Sequence, residues 1–306
     1  MPAPAHLDPA ALLAISDLEL RARTVMEGLR SGLHRSPFSG FSAEFTEYRQ
    51  YSPGDDLRYL DWKAYARTDR FYLKKFEEET NLRCLLLLDT SRSMDFGSRG
   101  YTKLTYARTL AATLASFLHG QRDLIGAALF DQTVHHAVAP RWRPGHLQHL
   151  YALLGRESPG RTTAMGVALQ EALRLCRKRT LIVLLSDFLS PLDEWSESFA
   201  ELAAAGHDVR VLQVLDPAER TLDFGQAAIW QDLENDTELY VDPAQARAAY
   251  LEKFSAHNTA VRQLLHEHGV PLHVIDTAQP LDEALRAFLQ NQPRRASRVA
   301  RRRASA

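Results

Sequence analysis

Apolar and polar positions along the chain change rhythm near Cys84. Before it, Asp8 to Leu29 places Leu12, Leu13, Ile15, Leu18, Leu20, Val25 and Leu29 at roughly helical spacing, with Asp8 and Pro9 suited to the N-cap and first turn. Glycine, serine and proline dominate Ser31 to Gly40, which predicts a loop. The following stretch, EFTEYRQYSPGDDLRYLDWKAYARTDRFYLKKFEEE, mixes aromatics with charges of both signs; SPGDD reads as a turn and RFYLKKFEEE as a strand. From Cys84 onward short apolar runs alternate with helical patterns. Strands are predicted at Cys84–Leu88, Leu124–Phe130, Val134–Val138, Leu181–Leu185, Val209–Val214 and Pro271–Ile275. Helices are predicted at Lys103–His119, Pro144–Leu154, Ala164–Arg177, Trp195–Ala205, Pro243–His268 and Leu281–Leu289, and AAIWQDLENDTELYVD reads as a hairpin turning at Asn235-Asp236.

Apolar runs without alternation belong to strands covered on both faces. Their alternation with helices predicts an α/β fold with a doubly wound, mostly parallel sheet flanked by helices. Three segments follow: an N-terminal helix and charged, aromatic hairpin over 1–81, the α/β domain over 82–292, and a basic tail over 293–306.

Charge adds one feature to this picture. The net charge is −1, but the tail from Pro293 holds six arginines and no acid, leaving 31 basic against 38 acidic residues in the body, about −7. A tail of this kind is expected to be solvated and disordered. The two cysteines, Cys84 and Cys176, sit in apolar patterns and make no disulfide framework, which fits a reducing compartment. The first residues lack a basic region followed by an apolar stretch, and no apolar run approaches the ~20 residues of a membrane helix. The expected location is cytoplasmic, without membrane insertion.

Candidate chemistry gathers at the ends of the predicted strands, where doubly wound sheets bind ligands. LLLLDTSRS presents Asp89, Ser91 and Ser93; GRTTAMG presents Thr162 and Thr163 just before a helix; LLSDF presents Asp187. All are hard oxygen donors, the chemistry that suits Mg²⁺ or Mn²⁺. In an extended loop, spacing by two turns Asp89, Ser91 and Ser93 to one side, with Thr90 and Arg92 facing away. The hydroxyls would then bind directly while Asp89 and Asp187 hold the ion's waters, leaving an open position for another oxygen. A single D-x-S-x-S is common and a serine there often caps a helix; the three segments in this order carry the signal together.

DTSRS, GRTT and SDF resemble the metal-ion-dependent adhesion site of von Willebrand factor A-type domains. The resemblance covers about Leu82 to Phe288 and implies a Rossmann-type sheet of that family, with Asp89, Ser91, Ser93, Thr162 and Asp187 as metal residues. The family's threonine follows a glycine pair, altered here to Gly160-Arg161, so Thr163 stands beside Thr162 as the alternative. The resemblance implies an Mg²⁺ or Mn²⁺ cofactor and a protein partner that supplies a carboxylate to the ion, hence recognition and not catalysis.

A second likeness lies upstream. The pattern E-F-x-x-x-R-x-Y-x-x-G-D-D-x-R-x-x-D-W-x-x-x-A-R, intact from Glu44 to Arg67, is similar to a bacterial family catalogued as domain of unknown function 58. That family is associated with MoxR-type AAA+ ATPases, which implies an adaptor or client of such a motor. Gly54 permits a tight turn, Asp55 and Asp56 suit turn amides, and Arg58, Asp61 and Arg67 suit an ion-paired cluster around Trp62. The simpler expectation is a rigid hairpin; the sharper one makes Asp55, Arg58, Asp61 and Arg67 a docking surface.

Other chemistries fare worse. The chain has no G-x-x-x-x-G-K-[ST] and no G-x-S-x-G, which disfavours a P-loop ATPase and a nucleophile-elbow hydrolase. His266, His268 and His273 lack metal-site spacing, and His135 and His136 point to opposite faces of a strand. Phe71, Tyr72 and Phe76 beside Lys74 and Lys75 offer stacking groups, but the acidic body argues against nucleic acid. The alternative kept is an Mg²⁺-dependent hydrolase or phosphotransferase with Asp89 as nucleophile. For the hairpin, charge reversal at Arg58 or Asp61 separates the two expectations: loss of folding by circular dichroism supports a structural role, whereas intact folding with lost partner binding supports docking.

Overall fold

The structure, a computed structural model, describes residues 8–33, 48–50, 65, 72–74, 81–157, 160, 162–224, 228–231 and 238–290. A six-stranded sheet forms its centre, built from β3 (Arg83–Asp89), β4 (Leu124–Phe130), β5 (Val134–Arg141), β6 (Leu181–Ser186), β7 (Asp208–Leu215) and β10 (Leu272–Asp276). Their order is β10-β7-β6-β3-β4-β5. Every pairing is parallel except β4 with β5, where the short DQT connection leaves room only for an antiparallel return. The doubly wound, mostly parallel sheet expected from the apolar runs is therefore present. Leu85 to Leu88 of β3 are fully buried, two side chains to each face, as the run of leucines requires.

Helices cover both faces. One face is packed by α1 (Pro9–Leu13), α2 (Leu18–Leu33), α3 (Lys103–Gly120), α4 (His146–Leu154) and α9 (Leu281–Gln290). The other is packed by α5 (Met165–Leu175), α6 (Ser196–Ala204) and α8 (Pro243–Glu267). The helix expected over Asp8–Leu29 is two helices: Ala14 closes α1, and the Asp17 carboxylate receives the Leu20 amide at 2.8 Å at the start of α2. Ala22, Val25, Met26 and Leu29 of α2 are buried with α3 and α9, so this N-terminal segment shares the sheet's core.

Two small antiparallel ribbons stand apart from the main sheet. β1 (Tyr48–Gln50) pairs with β2 (Tyr72–Lys74), inside the region expected to hold the charged hairpin. Asp55, Arg58, Asp61 and Arg67 lie outside the described residues, as does the basic tail. β8 (Ala228–Gln231) pairs with β9 (Glu238–Val241), the hairpin expected there; its Asn235-Asp236 turn is also outside the described residues. Cys84 and Cys176 are buried free thiols, as their apolar contexts predict.

The start of α5 depends on a close approach. A Cβ at Gly166 would lie 2.4 Å from the Glu194 carbonyl oxygen, in the 3₁₀ turn Leu192–Glu194. That contact is with backbone, so relief requires α5 to move. Gly166→Ala is expected to destabilise the fold by about 1–3 kcal/mol, read as a lower midpoint in urea unfolding.

Candidate functional site

β3 and β6 are the neighbours at which the strand order reverses: from β3 the chain proceeds to β4 and β5 on one side, then crosses to β6, β7 and β10 on the other. Asp89 is the last residue of β3, and Asp187 follows the last residue of β6. The topology thus puts both carboxylates at the carboxyl ends of adjacent strands. Asp187 is close enough for its charge to act on Asp89.

Asp89 is completely buried. Its Oδ1 accepts the Ser91 amide at 2.9 Å and its Oδ2 accepts the Ser186 hydroxyl at 2.6 Å. Burial, with the Asp187 charge second, pushes its pKa up to about 7, against the opposing pull of the Ser186 and Ser91 hydrogen bonds. Ser186 also accepts the Phe188 amide at 3.0 Å, which ties the β6 exit to β3. The Ser91 hydroxyl also hydrogen-bonds the Asp89 carboxylate.

Beyond Asp89 the backbone does not stay extended. Arg92–Asp95 form a 3₁₀ turn, because the Met94 amide bonds the Ser91 carbonyl and the Phe96 amide bonds the Ser93 carbonyl. Alternation along a strand is therefore not what aligns the serines; the turn is. It brings the Ser91 and Ser93 hydroxyl oxygens to 3.1 Å of each other. Ser91 occupies the N-cap position of the turn, yet its side chain makes no capping bond. The hydroxyl of Thr90 faces elsewhere, bonding the Phe130 carbonyl of β4 at 2.9 Å.

Asp187 sits in a constrained exit from β6. Phe188, next in the chain, has φ of 60°, a left-handed conformation rare for a bulky residue. Its ring is fully buried edge-on to Trp195, and its carbonyl meets His257 Nε2 at 2.7 Å. The Asp187 carbonyl accepts from the Gln213 side chain of β7 at 3.1 Å. Local strain held by packing and hydrogen bonds from three elements is a mark of functional loops.

The Asp187 carboxylate has a partner that was not expected. Lys103 Nζ, with no exposed surface, lies 2.8 Å from Asp187 Oδ2 and also bonds Glu219 Oε1. Burial alone would lower the lysine's pKa, but the two carboxylates more than offset it, and the net shift is upward. Glu219 belongs to the short helix α7 (Pro217–Thr221); its Oε2 accepts the Asp216 amide at 2.9 Å in a capping box. Asp216 in turn receives the Ser98 amide at 3.0 Å and the Ser98 hydroxyl at 2.5 Å. One polar chain therefore runs from the β6 end, through the start of α3, to the end of β7.

Thr162 is placed differently from the other four. Its hydroxyl accepts from the Gln132 side chain in the β4–β5 turn, and the nearby Ala164 amide bonds the Asp131 carbonyl at 2.8 Å. Its loop lies against the serine turn: a Cβ at Gly160 would meet Arg92 Cγ at 3.4 Å and Asp95 Oδ2 at 3.6 Å. Asp89, Ser91, Ser93 and Asp187 thus surround the β3–β6 ends, and Thr162 approaches from β4.

The donor set fits a small hard cation. It offers two carboxylates and two facing hydroxyls, all oxygen. A buried carboxylate held above its ordinary pKa is the kind of group a bound cation relieves. Among the described residues no three His, Cys, Asp or Glu side chains group together as a metal cluster, so the candidate set depends on hydroxyls beside its two carboxylates.

Sequence reasoning overlooked Ser186, Lys103 and Glu219. Lys103 carried a signal, since a lysine as the first residue of a helix faces the positive end of the helix dipole and needs nearby carboxylates to be tolerated. Ser186 carried none beyond its place in SDF.

The reversed strand order and the single antiparallel edge strand define a doubly wound α/β domain. The chain belongs to the family described as Protein of unknown function DUF58, which matches residues 47–260. An uncharacterised protein of Mycobacterium tuberculosis is 30% identical over 271 residues, covering 87% of this chain and 84% of its own. Among solved structures, the conserved hypothetical protein BatB from Bacteroides thetaiotaomicron is similar at a TM-score of 0.48 and 17% identity, over 69% of this chain and 96% of that one. The SpRpn10 VWA domain is similar at a TM-score of 0.39 and 10% identity, over 68% of this chain and 95% of that one. Among the described residues no helix is long and apolar enough to cross a membrane.

The burial of Asp89 has a pH signature. Its folded pKa of about 7 lies above the ordinary 3.8, so its contribution to stability is fully present below about pH 4 and is lost as pH rises through about 7. Asp123, pushed to about 6 by burial just before the amino end of β4, adds a slope of the same sign. The diagnostic is therefore a difference between proteins. In chelator-treated samples, wild type is expected to lose stability relative to Asp89→Asn between pH 5 and pH 8, by an amount on the order of a few kcal/mol, measured by urea unfolding.

Proposed function

We propose that this protein is a non-enzymatic interaction module whose partner binds through a divalent cation, Mg²⁺ or Mn²⁺, held at the carboxyl ends of β3 and β6. Asp89, Ser91, Ser93, Thr162 and Asp187 would hold the ion or its waters. The observation that carries the reading is the meeting of Asp89, Ser186, Asp187 and the facing Ser91 and Ser93 hydroxyls at the switch point. When bound, the ion would supply a positive centre able to accept a partner's carboxylate. The protein's own groups would set its position: the 3₁₀ turn aims the hydroxyls, and Ser186 holds Asp89 in place.

Burial of Asp89, with both oxygens engaged, favours this role over nucleophilic attack, which needs a carboxylate that a substrate can reach. The partner class proposed is a MoxR-type AAA+ ATPase or its complex, on the strength of the Glu44–Arg67 pattern; the chain would act as its adaptor or client.

Asp89→Ala and Ser91→Ala are expected to fold and to lose at least about tenfold in Mn²⁺ affinity by calorimetry, since the first removes a carboxylate and the second a hydroxyl from a small set of hard ligands. Capture of a AAA+ ATPase from cell extract should fail with chelator and return with Mg²⁺. Chelator-insensitive capture, or Mg²⁺-dependent phosphatase activity abolished by Asp89→Asn, would overturn the proposal.

A further inference from the structure

We infer that Lys103 tunes the divalent affinity of this site, acting as a built-in cation that competes for Asp187 and is itself restrained by Glu219. The inference rests on the metal-site reading above and goes beyond it, because Lys103 and Glu219 are not among the oxygen donors assigned to the ion.

The geometry supporting it is specific. Lys103 Nζ is fully buried, 2.8 Å from Asp187 Oδ2, and shared with Glu219 Oε1. The Phe96 ring, 5.9 Å from the ammonium to its centroid, lines a third side. The other Asp187 oxygen receives the Leu189 amide at 3.3 Å. A divalent ion or its waters using Asp187 must therefore share a carboxylate already engaged by an ammonium. Like charges a few ångströms apart in a buried site disfavour one another strongly, so Lys103 weakens cation binding. Glu219 acts in the opposite sense, drawing the ammonium toward α7 and offsetting its charge. Glu219 is in turn held by the Asp216 amide, and Asp216 by Ser98 and by Thr277 at 3.3 Å, beside β10. A displacement of α7 would therefore alter how firmly Lys103 commits to Asp187.

This arrangement makes two predictions of opposite sign. Glu219→Gln keeps an oxygen for the Asp216 amide but leaves Asp187 as the carboxylate that compensates Lys103, so Mn²⁺ affinity should fall about tenfold, as expected for one unit of charge near a buried site. Lys103→Met/Glu219→Gln removes the ammonium and its counter-charge together, with a side chain of similar length; because the ammonium and not Glu219 touches Asp187, its loss outweighs the other and affinity should rise several-fold. A purely structural pin between β6, α3 and α7 would weaken binding in both variants.

Titrate Mn²⁺, and separately Mg²⁺, by calorimetry into the full chain as wild type, Glu219→Gln, Lys103→Met/Glu219→Gln and Asp89→Ala. Thermal unfolding with and without metal gives a second readout. Weaker binding in the first variant with tighter binding in the second supports the inference. Weakened binding in both, or wild-type affinity in both alongside loss in Asp89→Ala, overturns it while leaving the metal site standing. If the double variant does not fold, Glu219→Gln decides alone: unchanged or tighter binding overturns the inference. No divalent binding by any of the four proteins overturns the site reading and this inference with it.

Discussion

A carboxylate at the end of a completely buried strand must be compensated by its surroundings, and much of the architecture around Asp89 follows from that need. β3 is central, flanked by β4 and β6 and covered by helices on both faces, so water does not reach its last residue. The compensation is local and precise in chemistry: an amide two residues on, and a hydroxyl from the neighbouring strand. These offset only part of the desolvation, and the carboxyl remains well above its ordinary pKa. This residual cost is located where strand order reverses, the place at which doubly wound sheets bind ligands.

Neighbouring loops are then positioned by interactions that have little to do with apolar burial. Ser186 links β6 to β3, while Gln213 and His257 fix the backbone around Asp187 and Phe188. The left-handed backbone at Phe188 is sustained because its ring packs into the core against Trp195. Core packing on one side of the residue thus holds a polar geometry on the other. Rigid strands supply the frame, and a few buried hydrogen bonds set the angles.

Lys103 extends this logic across the sheet. A lysine at the amino end of a long helix is opposed by the helix dipole and, when buried, by desolvation. Two carboxylates from different crossovers answer both penalties. The consequence is that the β6 end, the start of α3 and the cap of α7 respond to one another electrostatically. The proposed cation site thus has an ammonium on its far side, and small changes in that ammonium's position would shift the balance of charge at Asp187.

The strand and helix order was legible in the sequence because buried parallel strands need unbroken apolar runs and their covering helices need apolar stripes, both local patterns. The placement of Asp89 and Asp187 at strand ends was legible for the same reason: the apolar run stops where each carboxylate begins. The split between α1 and α2 was not, since Leu12, Leu13, Val25 and Leu29 enter one core and so mimic one stripe. Alignment of Ser91 and Ser93 came from a 3₁₀ turn that their spacing did not reveal. Thr162 shows the same limit, its hydroxyl engaged by Gln132, some thirty residues away. Periodicity by itself determined which residues would stand at the rim of the sheet. Only the tertiary structure decided which charges meet there, because the Lys103–Asp187 contact spans 84 residues and depends on how three crossovers pack together.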